Sequence, residues 1–155
     1  MDLDVVLVAP EIPQNTGTIG RLCVCLDVRL HLIEPLGFEL TEQRIRRAGL
    51  DYWQHLSWKV HPSWEAFLAD VEPARLMFSS TKTTRSYFDW EFKPGDTVVF
   101  GNEGSGLPES FYEAYENQLY AIPMPGAHAR SHNLANAVSI VMYEAYRQFS
   151  VAGIA

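Results

Sequence analysis

Short apolar runs alternate with stretches of helical spacing along the whole chain. DVVLVAP (4–10), RLHLIEP (29–35), RLMFSST (75–81) and DTVVFG (96–101) are compact apolar runs with β-branched or aromatic residues and read as buried strands. SWKVH (57–61) is a weaker candidate and QLYAIPM (118–124) a short one. Between them the period changes. Ile19, Leu22, Cys23 and Leu26 fall at i, i+3, i+4 and i+7, one apolar helical face, for which Asn15 or Thr16 offers a cap. TEQRIRRAG (41–49) predicts a short helix with Thr41 as cap and Gly49 as stop. PSWEAFLADV (62–71) predicts a helix with Pro62 in its first turn. A further helix runs from Pro108 to about Tyr115, and a last one from about Asn133 to Phe149 with Leu134, Val138, Val141 and Ala145 on one face.

This alternation predicts an α/β fold, a mainly parallel sheet flanked by helices. The length, 155 residues, fits one domain over 1–155. Parallel sheets bind ligands beyond the carboxyl ends of their strands. The unusual loops fall there: APEIPQNTG (9–17), SSTKTTR (79–85), FGNEGSGLP (100–108) and IPMPGAHARSHN (122–133).

Charge narrows the partners. The net charge of −7 opposes a general nucleic-acid binder, yet the positive residues are clustered: Arg44, Arg46 and Arg47; Lys82 and Arg85; Arg130 beside His132. An acidic protein with local basic patches can hold RNA in one groove. No run reaches the length of a membrane span. The opening MDLDVVLVAP lacks a basic n-region and a cleavage signature, so it reads as a strand, not a leader. Cys23 and Cys25 suggest no disulfide framework, and the expected location is cytoplasmic.

Several chemistries fail on spacing. G-x-G-x-x-G and the P-loop are absent. G-x-S-x-G fails at Ser105, because Glu103 and Leu107 fill the outer positions. His128 and His132 stand four apart in a loop without a helical pattern, so no metal is expected. What remains is a set of polar residues in apolar or glycine-rich places. Asn15 and Arg21 flank the first helix, with Arg21 off its apolar face. Glu103 sits among Gly101, Gly104 and Gly106. Asn133 and Asn136, three apart, follow Arg130-Ser131. Glycines there allow a close backbone approach to a ligand, and the carboxylate argues against a phosphate.

These motifs together resemble the SPOUT superfamily of RNA methyltransferases, in particular the single-domain tRNA ribose 2′-O-methyltransferases of the wobble nucleotide (position 34, cytidine or uridine). PEIPQNTGTIGRLC resembles the first family motif, FGNEGSGLP the second and IPMPGAHARSHNLANAVSIVMYEAYRQ the third. IEPLGF and RRAGLDYW also resemble that group. His132, Ala135 and the loop PGAHA depart from its usual pattern. The resemblance implies a C-terminal deep trefoil knot, S-adenosylmethionine as cofactor, and a homodimer acting on a tRNA anticodon arm. It implies catalytic roles for Arg21, Asn15, Glu103, Ser131 and Asn133. It implies a cofactor wall of Ser79, Thr81, Gly101, Asn102, Glu103, Gly104, Ile122, Met124, Ser131, Asn133 and Leu134. Expected RNA contacts are Arg44, Arg46, Arg47, Lys82, Arg85, Arg130 and His132. Two alternatives keep the fold: a ribosomal-RNA 2′-O-methyltransferase, or a catalytically silent RNA-binding dimer.

Overall fold

A computed structural model describes residues 1–41, 43 and 51–154. The helix expected over 41–49, with Arg44, Arg46 and Arg47, lies outside the described residues. Six strands form one sheet: β1 (Leu3–Val8), β2 (Arg29–Ile33), β3 (Trp58–His61), β4 (Arg75–Ser79), β5 (Asp96–Phe100) and β6 (Leu119–Tyr120), in the order β3-β2-β1-β5-β4-β6. Every pairing is parallel. Four α-helices whose bounds fall within the described residues cover it: α1 (Pro13–Leu26), α2 (Trp64–Val71), α3 (Glu109–Ala114) and α4 (Leu134–Ala152).

The sheet is buried on both faces, as a parallel sheet requires. Strand alternation divides the core. Leu3, Val5 and Leu7 pack with Ile19 and Cys23 of α1 and with Val138, Val141 and Phe149 of α4. Val6 and Val8 pack with Phe67 of α2, Phe78, Val99 and Phe111 of α3.

The boundaries move from the sequence expectations for local reasons. β1 stops at Val8 because Ala9 turns left-handed, with φ 50°, and its N–H bonds the Ile33 carbonyl at 2.9 Å. α1 begins at Pro13, two residues before the expected caps, and Ile12 precedes it without a side-chain cap. Asn15 and Thr16 are therefore interior, buried residues of its first turn. The cap of α2 is Ser63, whose Oγ accepts from the Ala66 N–H at 3.1 Å. β6 has two residues only, because the chain beyond it pairs elsewhere: Ala121 N–H donates to the Arg85 carbonyl, and the Ala121 carbonyl accepts from Tyr87 N–H.

A one-turn 3-10 helix over Asp51–His55, absent from the sequence expectations, docks on α1. Trp53 lies so close that a Cβ on Gly20 would come within 2.6 Å of its ring. A helix-interior glycine costs about 1 kcal/mol relative to alanine; here it admits the indole.

The α2 side of the sheet encloses a polar chain. Arg29 donates to Asp4, Asp4 lies 3.3 Å from His31 Nε2, and His31 Nδ1 lies 3.0 Å from His61 Nε2. His61 faces Asp70 at 3.9 Å, which Lys59 holds at 2.8 Å. Burial pushes the Asp4 carboxyl up, but the hydrogen bonds from His31 and Arg29 outweigh it and leave it below its ordinary value. Burial, then the neighbouring His31, depresses the His61 pKa.

Candidate active site

The loops leaving β1 and β5 meet beyond the carboxyl ends of their strands. Between Gly101 and Leu107 the chain folds back on itself. Asn102 N–H bonds the Gly106 carbonyl at 3.0 Å, and Gly106 N–H returns to Asn102 at 3.2 Å. Inside that turn the Asn102 side chain accepts from Ser105 N–H at 2.7 Å. The closure needs glycine at position 101, since a Cβ there would fall on the main chain of Gly106 and Leu107.

The hairpin presents Glu103 to the start of α1. Its carboxylate accepts from Glu11 N–H at 2.8 Å, Ile12 N–H at 3.1 Å and Asn15 Nδ2 at 3.1 Å. Acidic charge at a helix N-terminus is electrostatically favourable. Burial raises the Glu103 pKa, but the bonds from Glu11, Asn15, its own N–H and Ile12 together hold it below the ordinary glutamate value. It is an anchored anion, not a proton donor.

Asn15, 7% exposed, spends both ends of its amide. Its Nδ2 serves Glu103, and its Oδ1 accepts from Asn133 Nδ2 at 3.0 Å. Asn133 is the N-cap of α4, its Oδ1 accepting from Asn136 N–H at 3.2 Å. One relay, Glu103 to Asn15 to Asn133, thus ties together the β1 loop, the β5 loop and the last helix.

Around it lies a cavity of about 500 Å³. Phe100, Leu107, Ile122, Leu134 and Ala137 supply apolar lining; Ser79, Ser80, Thr81 and Ser131 supply hydroxyls. Each residue expected in the cofactor wall lines this cavity: Ser79, Thr81, Gly101, Asn102, Glu103, Gly104, Ile122, Met124, Ser131, Asn133 and Leu134. Lys82, Arg130 and His132 also line it. Lys82 sits over the Tyr112 ring, 4.4 Å from its centroid, and 3.8 Å from Glu109.

Two expected residues lie elsewhere. Arg21 is exposed on the outer side of α1, over the Tyr52 ring at 5.5 Å, and does not line the cavity. Arg85 leans over Tyr120 at 5.3 Å and points back to the carbonyls of Glu116 and Leu119. Asn136 gives its backbone to the cap instead of its side chain to the cavity. Among the described residues no cluster of three or more His, Cys, Asp or Glu could hold a metal. Ile12, Ser80, Tyr112 and Ala137 line the cavity without having been singled out in the sequence; their position inside the four unusual loops, or one helical turn beyond, was the available signal.

The site matches a known class. The SpoU rRNA Methylase family matches residues 2–143. The chain belongs to this family, and the α/β-knot class of fold goes with it. At finer grain, the tRNA (cytidine(34)-2′-O)-methyltransferase of Burkholderia ambifaria is 47% identical over 154 residues, 97% of each chain. The same enzyme of Escherichia coli K12 is 45% identical, covering 97% of this chain and 96% of its own. A solved structure concerned with 2-OH methylation of C/U34 on tRNA superposes with a TM-score of 0.87 at 44% identity, covering 96% of both chains. The AviRb methyltransferase of Streptomyces viridochromogenes, in complex with AdoMet, gives 0.80 at 25% identity, covering 95% of this chain and 58% of that one.

Proposed function

We propose that the protein transfers a methyl group from S-adenosylmethionine to the ribose 2′-hydroxyl of nucleotide 34 of tRNA. The observation that carries this reading is the Glu103–Asn15–Asn133 relay at the mouth of a cavity of about 500 Å³. The relatives that match nearly the whole chain carry that activity in their names.

The cavity fits the cofactor by size and chemistry. Its volume lies within the roughly 300–1,000 Å³ of small-molecule sites. Apolar walls from Leu107, Ile122 and Leu134 suit a purine, main-chain groups of 101–104 suit its edge, and the hydroxyls of Ser79, Thr81 and Ser131 suit ribose and amino-acid oxygens. When bound, S-adenosylmethionine supplies an electrophilic methyl on a sulfonium.

The chain's own residues must hold a ribose oxygen in line with that methyl. Glu103, fixed by main-chain donors, is the rigid end of the relay, and Asn15 and Asn133 orient the groups around the reacting oxygen. Ser131 positions both partners. Arg21 holds the adjacent phosphate and stabilises the developing alkoxide, because a guanidinium stays protonated and acts as a charge, not as a base. The proton passes to phosphate or water. Lys82, Arg130 and His132, at the cavity, and Arg85 with the cluster Arg44, Arg46 and Arg47 contact the anticodon arm.

The working unit in this reading is a homodimer. Arg21 lies outside its own chain's cavity, on an exposed stripe of α1 with Gln14, Thr18 and Cys25. Neighbouring α4 exposes Tyr143 (50%) and Tyr146 (43%), large rings that a second subunit would cover. Arg21 then reaches a cavity across the subunit boundary. Such a dimer works in the cytoplasm, where tRNA is processed.

The test is methyl transfer to unmodified tRNA, followed by nuclease digestion and mass spectrometry. The expected product is a single 2′-O-methyl at nucleotide 34. A methyl on a base, or on a ribose outside the anticodon loop, overturns the reading.

A further inference from the structure

The polar groups around the cavity support one another, but Arg21 stands apart on the outer face of α1. Among the described residues no carboxylate pairs with its guanidinium. A long, exposed side chain of this kind loses rotamer freedom when it must act at one point. Something has to restrict it.

Tyr52 touches Arg21 in two ways. Its ring lies under the guanidinium, with Cζ 5.5 Å from the centroid, within the range of a cation–π contact. Its hydroxyl donates to the Gly17 carbonyl at 2.6 Å. Gly17 is four residues before Arg21 in α1, so the same carbonyl accepts the Arg21 N–H in the helical register. One tyrosine therefore holds the Arg21 turn by its backbone and the Arg21 head by its face. The phenol stays a donor: burial pushes its pKa up, Arg21 opposes that and Asp51 adds to it.

The platform beneath Tyr52 is firm. Neighbouring Trp53 is buried against Gly20 and meets Trp58 edge-on, with centroids 5.3 Å apart. The 3-10 turn of Asp51–His55 is thus pinned to α1 at Gly17 and Gly20, the two glycines bracketing the turn that ends at Arg21.

We propose that Tyr52 is a positioning residue for methyl transfer, acting through Arg21. The proposal rests on the reading of Arg21 given above. Tyr52 does not line its own chain's cavity, so its removal should slow the chemical step and spare cofactor binding. Tyr52→Phe keeps the ring and loses the bond to Gly17; its kcat should fall about three- to tenfold, the scale of one neutral hydrogen bond. Tyr52→Leu loses both and should fall between tenfold and a hundredfold, as misplacement of a reacting group does (about 10²-fold for a 1 Å error).

The experiment measures single-turnover methylation of tRNA, with calorimetric affinity for S-adenosylmethionine, for Tyr52→Phe, Tyr52→Leu, Arg21→Ala and the double variant Arg21→Ala/Tyr52→Leu. The expected result is a graded loss of rate in the order Phe then Leu, with cofactor affinity within about twofold of the parent and no further loss when Tyr52→Leu is added to Arg21→Ala. A full-rate Tyr52→Leu beside a strongly impaired Arg21→Ala overturns the proposal and leaves the Arg21 reading intact. An equal additional loss in the Arg21→Ala background, or a loss of cofactor affinity in step with rate in the nearly isosteric Phe variant, assigns Tyr52 a general structural role and also overturns it. A full-rate Arg21→Ala overturns the Arg21 reading, and the Tyr52 proposal with it.

Discussion

Asn15 donates to Glu103 across 3.1 Å although the two residues stand 88 positions apart. The carboxylate faces three N–H donors and offers nothing but acceptors. Glu103→Gln sets an NH2 group against at least one of those donors. The expected cost is about 0.5–1.5 kcal/mol in stability, the range of one hydrogen bond at a half-buried group. Denaturant unfolding measures it, and calorimetry should show weaker cofactor binding, by roughly tenfold for each 1.4 kcal/mol that reaches the pocket. An unchanged unfolding midpoint would remove Glu103 from the role of anchor.

Arg21 carries a prediction of different form. Arg21→Ala should cut turnover to a small residual rate, still readable in single turnover, while cofactor affinity stays near that of the parent, because the residue does not line its own chain's cavity. Arg21→Lys should retain part of the rate: charge survives and the planar fork does not. A lysine variant as slow as the alanine variant would mean that bidentate geometry, not charge, is what the reaction needs.

Gly101→Ala tests the hairpin. The new Cβ collides with main chain, which cannot swing aside as a side chain does. We expect a loss of about 3 kcal/mol or more, at the strained end of single substitutions, together with loss of cofactor binding. Gly126→Ala is the control: the nearest atom is the Ala129 side chain at 3.8 Å, and stability should stay within about 0.5 kcal/mol.

Buried His61 predicts a pH dependence. The folded His61 pKa is depressed, chiefly by burial and then by His31 and Lys59, against the opposing pull of Asp70. The unfolded chain therefore takes up a proton first, near the ordinary imidazole value of about 6.5. His61 stabilises the fold above that value, and its contribution is lost as pH falls through the lower folded value. Urea midpoints at falling pH should decline below about 6.5, and His61→Gln should flatten that decline. Parallel curves for the two proteins would exclude His61 as the source.

Salt tests the RNA face. Lys82 and Arg130 line the cavity in a chain of net charge −7. Each phosphate contact releases condensed counterions, so tRNA affinity should fall steeply with salt. Replacing both residues by alanine should weaken binding and flatten the salt slope. A double variant with the parent's slope would place the phosphate contacts elsewhere.

The sheet was legible because runs such as DTVVF are short, β-branched and bounded by glycine, which favours a buried strand, and α4 because Val138, Val141 and Ala145 keep one face. The cavity was legible because hydrophilic residues crowd four loops at one end of a parallel sheet, three of them containing glycine and proline. What stayed hidden was long-range. Asn15 has the chemistry of a cap, and only Glu103 and Asn133, brought in from afar, turn it into a relay. β6 ends early because Ala121 finds Arg85 and Tyr87, a pairing that no local pattern encodes. The contact of Tyr52 was hidden too: RRAGLDYW marked it only as part of a resemblance, and its partner Gly17 lies 35 residues away.

The relay also sets a schedule for the growing chain. Asn15 leaves the ribosome early, Glu103 much later, and Asn133 only after the last strand, β6. Between Glu103 and Asn133 the amide of Asn15 has one of its two partners, and α4, which follows Asn133, has yet to be made. Competence to bind the cofactor is therefore withheld through most of translation and arrives together with the start of the final helix.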